Sequence, residues 1–121
     1  MIEKTVLDYM TAELSVPVYM EIPPEQPGVQ TPASFVVIQK LGSTFTNRLD
    51  TATMAFQSYS KNSLLEAARL NESVKAAVEN MVSLATVSNC YLNSDYNFTD
   101  TRKKHYRYQA LYVITYLREE V

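Results

Sequence analysis

The segment LNSDYNFTDTRKKHYRYQALYVITY, residues 92–116, passes from a polar, aromatic-dotted loop through a basic step into a long alternating tail. In that tail Tyr106, Tyr108, Ala110, Tyr112, Ile114 and Tyr116 fall on one parity, and Arg107, Gln109, Leu111, Val113, Thr115 and Leu117 on the other. Alternation built from Tyr, Val, Ile and Thr marks a β-strand, whose successive side chains point to opposite faces. One parity is a ladder of tyrosines, and the other turns apolar around Leu111 and Val113. Both faces of the strand therefore require a cover. A small domain can bury one sheet face under its own helices, which leaves the cover of the other to be explained.

Upstream, residues 86–92 have β character through Val87, Cys90, Tyr91 and Leu92, and the loop 93–104 joins them to the last strand as an antiparallel hairpin with a long tip. Ser63 to Glu66 fits a capping box, in which a serine hydroxyl and a glutamate three residues on satisfy each other's free backbone donors. Ala67, Leu70, Val74, Ala77, Val78 and Met81 then form the stripe of a helix reaching about Val82, with Glu66, Arg69, Glu72, Lys75 and Glu79 on a solvated face. Residues 49–59 alternate between Ala52, Met54 and Phe56 on one side and Thr51, Thr53, Ala55, Gln57 and Tyr59 on the other. Residues 35–41 are apolar on both sides, as in a central strand, and 42–47 read as a polar turn between these two strands. The proline-rich segment 23–32 reads as an exposed loop, long for a hairpin connection. Before it come a short strand at Val18, Tyr19 and Met20 and a first helix over 2–14, striped by Ile2, Val6, Leu7, Met10 and Leu14. The order is α-β-β-β-α-β-β. The expected fold class is α+β, a single domain over 1–121 with a mostly antiparallel sheet and two helices packed on one face.

With 121 residues, 46% of them apolar and 20% charged, the composition is that of one globular domain. A net charge of -2 argues against broad duplex binding. Cys90 stands alone, so no intramolecular disulfide is expected, and neither a signal peptide nor an apolar run of membrane-spanning length is legible. These features suit the cytoplasm. The triplets at Asn71 and Asn97 read as chance glycosylation matches.

No catalytic constellation emerges. His105 and Cys90 lie on neighbouring expected strands, but a lone strand cysteine reads as a small buried residue, and one His with one Cys cannot form a structural zinc site. Asp95 and Asp100 read as turn-formers rather than paired acids. The glycines, Gly28 and Gly42, build no phosphate-cradling loop. The one sharp charge feature is Arg102, Lys103, Lys104, His105 and Arg107 set among Tyr96, Phe98, Tyr106 and Tyr108. Its readings are a charged hairpin tip that guards an edge, a stacking platform for single-stranded nucleic acid, and a contact with another subunit.

The segments DYNFTDTRKKHYRYQALYVITY, residues 95–116, IEKTVLDYMTAELSVPVYMEIPPEQP, residues 2–27, and ATMAFQSYSKN, residues 52–62, together resemble the small tail-completion proteins of tailed bacteriophages and prophages of Gram-positive bacteria. The likeness is closest to the tail terminators, with the head-to-tail joining proteins next, and it lies in overall pattern rather than in a catalytic motif. It implies a non-enzymatic α+β subunit without cofactor or metal. Such a subunit forms a ring, commonly a hexamer, on the head-proximal end of the tail tube, stopping tube growth and offering a docking face to the head connector or stopper protein. The implied partners are further copies of itself, the tube protein and the connector, with no membrane; a nucleic-acid-binding module using the basic aromatic hairpin is the rival reading. The implied location is the host cytoplasm during assembly and then the virion. On this reading the interface candidates are Tyr96, Phe98, Arg102, Lys103, Lys104, Tyr106, Tyr108, Tyr112 and Tyr116, with loop 23–32 and tip 95–104 as docking segments.

Overall fold

The first helix forms because Ile2, Val6 and Met10 recur at a spacing of four and bury one stripe, while Glu3 sits in the first turn where the helix dipole favours an acid. In the computed structural model, which describes residues 1–24, 26–46, 48–102 and 105–117, this is α1, Ile2–Glu13. Leu14 then turns extended ahead of Pro17. The remaining elements are β1 (Val18–Tyr19), β2 (Ser34–Thr46), β3 (Leu49–Ser60), α2 (Leu64–Glu79), a short 3-10 turn (Asn80–Ser83), β4 (Val87–Asn97) and β5 (Tyr106–Leu117). The strands form one sheet in the order β1-β2-β3-β5-β4. β1 runs parallel to β2, and every other neighbouring pair is antiparallel. The α+β class and the element order are thus as the sequence indicates.

Both helices cover the same face. Ile2, Val6 and Met10 of α1 and Val74 and Val78 of α2 pack with Met81 against Val36, Ile38, Ala52, Met54, Phe56, Ala110, Tyr112 and Ile114. Phe56 and Tyr112 meet edge to face at 5.9 Å, a favoured aromatic geometry. Tyr9 ties the two helices together, its hydroxyl donating to the Ala77 carbonyl at 2.6 Å. Glu3 reaches Lys40 of β2 at 3.3 Å.

α2 starts where the capping pattern places it, with Ser63 Oγ accepting from the Glu66 backbone N–H at 3.1 Å. The return arm of the box goes elsewhere. The Glu66 carboxylate accepts from the Ser34 hydroxyl and from Asn62 Nδ2, which pins the helix start to the beginning of β2. These donors hold the Glu66 carboxyl below its ordinary value of 4.5.

Three expected boundaries shift. The turn foreseen at 42–47 is strand, because a bulge between Lys40 and Gly42 keeps Ser43, Thr44 and Phe45 paired with β3. Thr46 faces Leu49, and Arg48 takes a left-handed φ of 67° in the tight turn. The loop foreseen from 93 begins later, since a second bulge between Leu92 and Ser94 lets polar residues continue the β4 ladder as far as Asn97. The helix foreseen to Val82 changes to a 3-10 turn after Glu79. The length of the proline-rich segment also has a topological cause. β1 and β2 are parallel, so the chain must cross back over residues 20–33, and parallel neighbours need a connection of about a dozen residues or more.

Replacing Phe56 with Ala should lower unfolding free energy in urea by about 3–5 kcal/mol, whereas Leu117→Ala, at an exposed strand end, should cost under about 0.5 kcal/mol. Because the Glu66 carboxyl is held below 4.5 in the folded chain, its contribution is present above that pH and fades as pH falls through the folded value. Glu66→Gln should therefore flatten the acid limb of a stability-versus-pH curve below about pH 5.

Candidate interaction surface

The parity of β5 that carries the tyrosines is the one turned toward the helices. Tyr112 is fully buried, its hydroxyl donating to the Lys75 carbonyl at 3.4 Å, and burial pushes its phenol well above its ordinary value. Tyr116 belongs to the same core, and Tyr106 and Tyr108 lie half-buried on the same parity, opposite Ser60 and Ser58. Tyr112 and Tyr116 are therefore corrected from interface candidates to core residues. The physical reason is that a large ring fills the space under α2 while its hydroxyl finds a backbone acceptor, which a tyrosine count alone does not reveal.

The opposite parity forms a second face on which, among the described residues, no helix packs. Its organisation follows the strand register. At one end Phe35 and Tyr59 stack at 4.8 Å, with Tyr19 edge-on to Phe35 at 6.0 Å. Phe98 and His105 meet the Tyr59 ring edge-on at 6.5 and 6.4 Å. The Arg107 guanidinium lies 4.3 Å from the centre of the Phe98 ring, and its Nε donates to the Phe98 carbonyl at 2.7 Å. Next comes a polar ladder across three strands, in which Gln57 Nε2 donates to Gln109 Oε1 at 2.8 Å and Gln109 Nε2 donates to the Tyr96 hydroxyl. Beyond it the face mixes apolar residues with threonines: Ala55 lies opposite Leu111, and Val113 lies between Thr53 and Tyr91. Thr51 and Thr115 touch at 3.4 Å, and Leu49 and Leu117 pair at the far end. Tyr91 is 53% exposed and Leu117 51%.

Beside the aromatic end opens a cleft of about 550 Å³, lined by Ile22, Pro23 and Pro24 of the crossover loop and by Phe35, Tyr59, Lys61 and His105. Lys61 Nζ donates to the Thr31 hydroxyl across its mouth. The folded strands place one polished apolar floor here, the Phe35 and Tyr59 rings, both almost fully buried.

The other site residues named from sequence divide accordingly. Tyr96 is exposed on the open face and Phe98 is half-buried beneath Arg107. Arg102 is exposed in the turn, its backbone N–H donating to Asp100 Oδ1 at 3.0 Å. Lys103 and Lys104 lie outside the described residues. Sequence reasoning gave no interface role to Leu111, Val113, Gln109 and Leu117, although the signal was present in the parity that turns apolar beside the tyrosines. Asp95 is on the helix side, ion-paired with Lys75 at 2.5 Å, which in turn meets Glu72 at 2.9 Å. Cys90 also faces the helices, with Sγ 3.5 Å from the Val78 carbonyl, and burial pushes its thiol up to about 11. Cys90 pairs with Ile114, whereas His105 precedes the start of β5, so the two are separated by about 30 Å of strand and form no nucleophile pair. Among the described residues no group of three or more His, Cys, Asp or Glu side chains is placed to hold a metal ion. No helix among them is long and apolar enough to cross a membrane.

Arg107→Ala should cost about 1 kcal/mol by removing the cation from the aromatic ring, and should shift the Phe98 ring resonances in an NMR spectrum. Lys75 gains its carboxylate partners on folding and its ammonium is held above 10.5, so the pair stabilises fully below that pH and is lost as pH rises through the folded value. Asp95→Asn should therefore weaken the fall in stability seen on titrating above pH 10.5. A scan against protein-family models finds no match to this chain, and a search of curated proteins finds none either.

Proposed function

We propose that this protein is a structural tail-completion subunit of a tailed bacteriophage or prophage, a tail terminator rather than an enzyme. Copies assemble into a ring, of hexameric size in the family it resembles, on the head-proximal end of the tail tube. The ring ends tube polymerisation and presents a docking face to the head connector. The observation that supports this most is the open sheet face, where Leu111, Val113, Tyr91 and Leu117 lie outside the helix-covered core. A neighbouring protomer can cover such a face without any further element from the same chain, and a heterologous contact closed by rotation repeats that cover around a ring. Tyr96, Phe98 and Arg102 stand at one margin of the face, where aromatic and guanidinium groups suit a partly wet interface. The guanidinium of Arg107 is committed to Phe98 and the sequence is net acidic, which weighs against a platform for nucleic acid.

Electron microscopy of tails made without this protein tests the assignment. Overlong tails support a terminator, normal-length tails that fail to join heads point instead to a joining protein, and normal phage would refute both. In solution, native mass spectrometry with tube subunit present should show a ring, and Tyr91→Glu, at an exposed position on the edge strand, should abolish it while leaving the unfolding midpoint nearly unchanged.

A further inference from the structure

We propose that neighbouring copies of this chain join edge to edge, β4 of one copy pairing antiparallel with the part of β2 that lies beyond β1 in the next. This rests on the ring reading above and names the strands that make the ring contact.

Two sheet edges have no strand neighbour among the described residues. β4 has β5 on one side only, and β1 pairs with β2 at Val36 and Val37 alone, so residues 38–44 of β2 have β3 on one side and no strand on the other. Such edges present backbone donors and acceptors that another strand can take up. Direction suits the joint. β2, β3, β5 and β4 alternate, so β4 runs opposite to β2, and two copies in the same orientation set these edges antiparallel.

The register across the sheet sets the rows. Ile38 is level with Asp95, Lys40 with Leu92, Gly42 with Tyr91, Ser43 with Cys90 and Thr44 with Asn89. Copies at one height bring each of these residues opposite its counterpart in the next copy. Tyr91 then lies over Gly42 on the face away from the helices. Tyr91 is exposed, and a Cβ at Gly42 would meet nothing within 4 Å, so the ring has room to lie there. An aromatic ring that covers an edge glycine across a strand pair stabilises the pairing. On the helix side Leu92, 39% exposed, meets the alkyl stem of Lys40.

Charge selects unlike edges. Among residues 38–44 the one charged side chain is Lys40, and among 88–96 it is Asp95. Both belong to the helix-side parity, in rows with Met54 and Ala110. In the level joint they are diagonal neighbours, about 7–8 Å apart. Joining β4 to β4 would instead place two acids and no base along the joint, and β2 to β2 two bases and no acid. Glu3 and Lys75 already accompany Lys40 and Asp95 at 3.3 and 2.5 Å, so charge chooses the partner edge while backbone pairing and the Tyr91 contact supply the affinity. A contact between two different edges is heterologous, and it propagates until rotation closes it.

Disulfide trapping tests the joint. In a chain carrying Cys90→Ser, the pair Thr44→Cys and Asn89→Cys puts one thiol on each edge at an exposed position. Within one copy these residues stand three strand spacings apart, about 14 Å, whereas a disulfide needs Cα atoms within about 7 Å. Oxidised with tube subunit present, the double variant should give a ladder of covalent oligomers ending at the ring, and either single variant should give none. Gly42→Trp, which fills the space meant for Tyr91, should raise the concentration needed for assembly at least about tenfold while circular dichroism and the thermal midpoint match the unaltered chain. Rings seen by native mass spectrometry without a ladder, rings indifferent to Gly42→Trp, or a covalent dimer from Asn89→Cys alone overturn this joint and leave the ring reading standing. An unaltered chain that stays monomeric with tube subunit present overturns the ring reading and this joint together.

Discussion

Two amphipathic helices can cover one face of a five-stranded sheet and no more. Every feature of this molecule follows from which parity receives that cover. Ala110, Tyr112 and Ile114 on β5, Met54 and Phe56 on β3 and Val36 and Ile38 on β2 share one side, and α1 and α2 dock there through Val6, Met10, Val74 and Val78. Sliding β5 by a single residue would exchange this set for Gln109, Leu111 and Val113, so the register is firmly determined by burial. The remaining parity carries the glutamine ladder and the aromatic corner, which stiffen a face that has no helix of its own among the described residues.

The layout of the fold was legible in the sequence because long periodic segments carry it. The period-two run at the end, the three-to-four spacing of Val6 and Met10, and the capping serine at Ser63 each reflect local chemistry, and each element stands where that chemistry places it. What escaped was governed by pairing across the sheet. Gly42 reads as a turn, yet a bulge accommodates it inside β2, and Ser94, Asp95 and Asn97 read as loop, yet their backbones complete a ladder with β5. Polar residues on an edge strand need only hydrogen-bond partners, not burial, so their hydropathy does not announce a strand.

The contact surface was half legible for a related reason. Tyrosines suit both a core and an interface, and only the position of α2 separates the two roles: Lys75 offers its carbonyl to the Tyr112 hydroxyl, which makes a buried phenol tolerable. Asn71 shows the same ambiguity on the other partner. It lies in the buried stripe of α2 among valines, where an apolar residue would be expected, and its amide turns to Asp95 at 3.4 Å. With Lys75 on the same carboxylate, this cluster anchors the middle of α2 to the edge strand β4, a long-range tie that sequence spacing cannot express.

The parallel pairing of β1 also bears on the order in which the molecule is built. The β2–β3 hairpin closes through a tight turn at Arg48 and costs little chain entropy, whereas β1 can join only after residues 20–33 have looped across. β1 contributes two residues and a backbone bond from Val36 to the Pro17 carbonyl at 3.0 Å, a small return for that closure. The crossover thus closes a long loop for two paired residues, whereas the antiparallel hairpins gain many pairs for short loops. The walls that Ile22 and Pro23 give the cleft therefore stand on the connection that is tied to the sheet by the fewest strand pairs.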